Sequence, residues 1–116
     1  PNAIVEVDGT CTTPPSIRAH VRNVGLTTLP AGVVVGFYTG DPAGTKTKIG
    51  TGTTVGAILP GGFEDVVIKW DAAPGGYFTG SVGVFAIVDD DPTPHAWHEC
   101  KTNDNTSNLY KKKCAG

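Results

Sequence analysis

An all-β fold is what this 116-residue chain predicts, and three observations carry that reading. Short segments alternate apolar and polar residues with a period of two, as strands with one dry face and one wet face do. The 16 glycines and nine prolines cluster between those segments as turn formers. No stretch repeats its apolar residues at helical spacing.

Residues 4–7 read as a short first strand, and Asp8-Gly9 opens a turn that contains Cys11. Pro14-Pro15 forces extended backbone before Ser16. From there Ile17, Ala19 and Val21 share one face, with Arg18, His20 and Arg22 on the other. Asn23-Val24-Gly25 ends this strand in a turn, since Asn and Gly both tolerate left-handed backbone. Residues 33–38 are apolar on both faces, which places that strand centrally. The dense turn at 39–44 leads to 46–55, where Lys and Thr alternate as on an edge strand guarded against further pairing.

Leu59-Pro60-Gly61-Gly62 turns the chain into 63–70, with Val66, Ile68 and Trp70 on one face. Pro74-Gly75-Gly76 turns it again. The run 80–88 is the most apolar, with Val82, Val84, Ala86 and Val88 facing one way. A two-proline loop covers 89–100, and 105–114 supplies a last strand. The expectation is a single antiparallel β-sandwich of about seven strands, one domain over 1–116.

Composition narrows the setting. Apolar residues are 39% and charged residues 17%, too apolar for disorder and too rich in turn formers for helices. A net charge of −2 offers no field suited to nucleic acid. No apolar run approaches the roughly 18 residues of a membrane-spanning helix, so membrane insertion is not expected. Lys111-Lys112-Lys113 reads as a solvated basic edge. The chain lacks Met and begins at Pro1, which suggests a piece excised from a longer protein or a processed form.

Three cysteines allow one disulfide and three pairings. In strands that alternate up and down, the turn after the first strand and the end of the last share a pole. Cys11 and Cys114 occupy those places, so Cys11–Cys114 is favoured over Cys11–Cys100. A β-rich, Met-free chain bearing cysteines points to an oxidising compartment, the alternative being a reduced cytosolic chain with three buried thiols.

The order of segments resembles the CARDB modules, a family of cell-adhesion-related domains in bacterial surface and secreted proteins. The likeness rests on Val21-Arg22-Asn23-Val24-Gly25, on Pro30-Ala31-Gly32-Val33-Val34-Val35-Gly36-Phe37-Tyr38 and on Leu59-Pro60-Gly61-Gly62. Val88-Asp89-Asp90-Asp91 and Glu99-Cys100 through Asn105-Thr106 complete it. The resemblance implies an immunoglobulin-like or fibronectin-like sandwich, extracellular or at the cell surface, with no catalytic residues. Its implied partners are neighbouring domains, a cell-surface protein or a glycan. The loop 92–98, with two prolines and Trp97, departs from the plainer turn such modules carry.

Candidate sites gather in that region. Asp89, Asp90, Asp91, Glu99 and Asp104, with Asn103 and Asn105, collect hard oxygen donors of the kind calcium takes, or form a solvated turn. His95, His98 and Cys100 offer nitrogen and sulfur donors, one fewer than a structural zinc needs. Trp97 beside His95 and His98 could stack on a sugar, which makes a carbohydrate-binding module the second functional reading. Trp70 reads instead as a core plug. Ser16, Ser81 and Ser107 lack a nucleophile-elbow context, so an enzyme is not expected. Asn105-Thr106-Ser107 matches a glycosylation acceptor pattern, and Lys48 or Lys69 has no evident asparagine partner for a cross-link.

Overall fold

The computed structural model describes residues 3–40, 44–88, 106–111 and 113–114. Six strands and one helical turn follow in the order β1 (Ala3–Gly9), β2 (Ser16–Asn23), β3 (Val34–Gly40), β4 (Lys46–Thr53), β5 (Phe63–Lys69), α1 (Gly75–Thr79) and β6 (Val84–Val88). They build two antiparallel three-stranded sheets, ordered β1-β2-β5 and β4-β3-β6. β1 comes beside β6 and β4 beside β5, so the sheets stack into a sandwich. The all-β expectation holds, with β3 central and β4 at an edge as the residue patterns imply.

Alternation decides what is buried. Val5 and Val7 of β1, Ile17, Ala19 and Val21 of β2, and Val66 of β5 turn inward against Val35 and Phe37 of β3 and Val84, Ala86 and Val88 of β6. Burying each large side chain contributes on the order of 1.5–3 kcal/mol. Trp70, predicted as a plug, is buried in this core. The inward positions of β4 carry Gly50 and Gly52 instead, which brings β5 unusually near. A Cβ on Gly52 would stand 2.5 Å from Val66 Cγ1, and one on Gly50 2.9 Å from Ile68 Cδ1. Ile49 is an extra residue between the pairs Phe37↔Gly50 and Tyr38↔Lys48. Such a bulge bends an edge strand out of register for further pairing.

Three features depart from the expected seven strands. Residues 75–79 form one turn of α-helix where the sequence suggests only a turn. Five residues are too few to display a helical period, and two glycines argue against helix locally. The turn is held by tertiary contact, since Tyr77 is 3% exposed, and Gly80 ends it at φ 83°. The strand expected over 80–88 accordingly starts only at Val84.

The last segment is the third departure. It is tied to β6 by bridges Ile87↔Thr106 and Val84↔Tyr110 rather than by a regular ladder. These bridges differ by one residue in register, and Ser107 absorbs the slip. Its N–H donates to Ala86 O at 2.8 Å, while its Oγ accepts from Ala86 N–H at 2.8 Å. A side chain thus takes the place of a backbone carbonyl.

The two ends of the sandwich differ in character. At one, β2 runs into the 24–33 loop and β4 into the 54–62 loop, and the two loops join through Leu29↔Ile58. Asn23, with no exposed surface, pins them together. Its Nδ2 donates to Thr27 O at 2.8 Å and Ile58 O at 2.9 Å, and its Oδ1 accepts from Gly25 N–H at 3.0 Å. At the other end Cys11 and Cys114 are joined by a disulfide with Cα atoms 5.8 Å apart.

Candidate functional site

The outward face of β1 and β2 holds a polar surface with charges of both signs. Period-two alternation that sends Val5, Val7, Ala19 and Val21 inward sends Glu6, Asp8, Arg18, His20 and Arg22 outward. Antiparallel register then sets these in rows: Asp8 faces Arg18, and Glu6 faces His20, which faces Asp65 of β5. Opposite charges directly across strands attract where like charges would repel. Arg18 Nε donates to Asp8 Oδ1 at 3.1 Å and its Nη2 to Asp8 Oδ2 at 2.5 Å. That hydrogen bonding, then the charges of Asp8 and Asp65, raises the guanidinium pKa above its ordinary value.

His20 Nδ1 lies 2.7 Å from Asp65 Oδ1, and its ring lies tilted against that of Phe63, centroids 4.6 Å apart. Asn108 and Tyr110 of the last segment wall the groove on the β1 side. Asn108 Oδ1 accepts from Val7 N–H at 3.2 Å, and Tyr110 Oη donates to Gly9 O at 3.1 Å. Together Glu6, Asp8, Arg18, His20, Asn108 and Tyr110 line an open groove of about 690 Å³. Arg18 and Asp8 in it are paired and half-exposed, and Glu6 is exposed, so it offers a wet, polar contact surface.

Under the disulfide end sits an aromatic cluster. The Tyr77 ring meets Trp70 edge-on at 5.7 Å and Phe78 at 5.1 Å, and its hydroxyl donates to Thr10 O at 2.8 Å. Burial, and then the neighbouring Tyr110 and Asp8, push the Tyr77 phenol above its usual pKa. The opposite end is apolar on its outside: Leu26 is 96% exposed, Val55 88% and Leu59 66%.

Of the residues singled out from the sequence, Cys11 and Cys114 are joined to each other. Asp89, Asp90, Asp91, His95, Trp97, His98, Glu99, Cys100 and Asp104 lie outside the described residues. Among the described residues no group of three or more His, Cys, Asp or Glu side chains is placed to hold a metal ion. No described helix is long and apolar enough to cross a membrane. The groove was missed because its signal is split: Arg18, His20 and Arg22 are legibly outward, but their acidic partners are set by register between distant segments.

These features define a two-sheet antiparallel β-sandwich. No family model matches the chain, and no curated protein does. It is similar to the solution structure of GmR58A, a structural genomics target from Geobacter metallireducens, with 25% identity and a TM-score of 0.61. The match covers 97% of this chain and 93% of that one, so the likeness extends over nearly the whole fold.

Proposed function

We propose that this chain is a non-catalytic structural module, an immunoglobulin-like sandwich of the CARDB type, that spaces or presents other parts of an exported bacterial protein. The observation that carries the reading is the placement of the two ends of the described chain. Ala3 pairs with Asn23 at the loop-pinned end, whereas Cys114 is bonded to Cys11 at the other. The body between is elongated, 44 × 25 × 19 Å. Modules entered at one end and left at the other extend a chain, whereas adjacent entry and exit would fold it back.

Two further features support this reading. The disulfide suits an oxidising, extracellular setting. The exposed Leu26, Val55 and Leu59 give the entry end an apolar surface on which an adjoining module can rest. The test is small-angle scattering on two copies fused end to end. A maximum dimension of about 90 Å, twice one body of typical domain size, is expected. A pair folded back to nearly the length of one copy overturns the spacer reading. Saturable binding on a glycan array, abolished by Trp97→Ala, transfers the function to a carbohydrate-binding module.

A further inference from the structure

The disulfide and the strand order together decide which part of the molecule a pull on its ends would load. β1 starts at the loop-pinned end, where Ala3 faces Asn23, and reaches the disulfide end, where Gly9 faces Ile17. Two residues later Cys11 is bonded to Cys114, 103 positions further along the chain. The covalent path from Ala3 to Cys114 therefore runs through β1, a short turn and one sulfur–sulfur bond. Strands β2 to β6, α1 and the last segment all belong to the closed loop beside that path.

We propose that the module acts as a tension-bearing link, in which β1 and the Cys11–Cys114 bond carry the load and the loop between them stays folded. The source of the tension rests on the module reading above; the load path itself does not. β1 has little slack to give, because a strand rises about 3.3 Å per residue and a taut backbone at most about 3.6 Å. Strand β2 lies off that path, so the seven β1–β2 register pairs are not sheared apart when β1 is held at both of its ends. Asn108 on Val7 and Tyr110 on Gly9 brace the other edge of the same strand. The last segment runs in the direction of β1, from Thr106 beside Ile87 to Tyr110 beside Val84, and delivers Cys114 to the end that β1 reaches.

The experiment is single-molecule force extension of the whole chain with handles at Pro1 and Gly116. The oxidised protein is expected to lengthen by less than about 30 Å before it detaches, the slack of the few residues outside the loop. With reductant, the loop is freed and the contour grows by about 350 Å, at roughly 3.5 Å for each position between the cysteines. A long step in the oxidised chain overturns the proposal, as does a short extension that reductant leaves unchanged. Cys100→Ser protein is expected to keep the short extension, and a long step there shows that another pairing carries the load. Either failure leaves the end-to-end scattering result of the spacer reading untouched.

Discussion

Removing the amide that joins the two loops gives the sharpest test of how this sandwich is held. In Asn23→Ala, a side chain with no exposed surface loses donors to Thr27 O and Ile58 O and an acceptor for Gly25 N–H. Ile58 O keeps one partner, Leu29 N–H at 2.9 Å, but Gly25 N–H loses this one. Three bonds at about 1 kcal/mol each, the Asn23–Ile58 bond fully buried, give a loss of about 3 kcal/mol. With a urea slope of about 1.3 kcal/mol/M the midpoint should fall by about 2 M at constant slope.

Amide exchange should quicken first at Leu29 and Ile58, whose mutual bonds close the loop bridge. Asn23→Asp keeps the shape but sets a carboxylate oxygen against two carbonyls, so it should be the worse variant at neutral pH and recover on acidification. A loss below about 1 kcal/mol for Asn23→Ala, with exchange at Leu29 and Ile58 unchanged, would refute the pinning role.

Gly52→Ala should cost about 1–3 kcal/mol by overpacking against Val66, and adding Val66→Ala should recover part of it in a double-mutant cycle followed by urea unfolding. Tyr77 has its pKa raised by burial, so the folded state holds its proton longer. Its contribution is complete below the unfolded value of about 10 and is lost as pH rises through the folded value; alkaline melts of Tyr77→Phe should show a shallower fall. If Asp89, Asp90, Asp91, Glu99 and Asp104 hold calcium, saturation at 100 times the dissociation constant should stabilise by about 2.7 kcal/mol. Calorimetry without heat and an unchanged melting temperature would remove them as ligands.

Much of the fold is written in short-range pattern. The inward sets Ile17, Ala19, Val21 and Val84, Ala86, Val88 follow from alternation alone, and the two-sided run through Val35 and Phe37 marks the central strand. What escaped is what needs a partner to be seen. Helix α1 exists because Tyr77 is buried, against the preference of Gly75 and Gly76. Gly50 and Gly52 look like weak points in a strand until Val66 and Ile68 are set opposite. The acid–base rows of the groove come from register across segments 10 to 45 residues apart, a distance over which alternation carries no information.

Ser107 and Asn108 have one last consequence. By occupying hydrogen-bonding groups of β6 and β1 with side chains, they cover part of one flank of the sandwich against foreign chains. The other flank, where among the described residues β4 and β5 each pair on one side only, is defended differently, by Lys46, Lys48 and the kink at Ile49. Among the described strands that flank is where a foreign strand could add, and neutralising those two ammonium groups would weaken its defence.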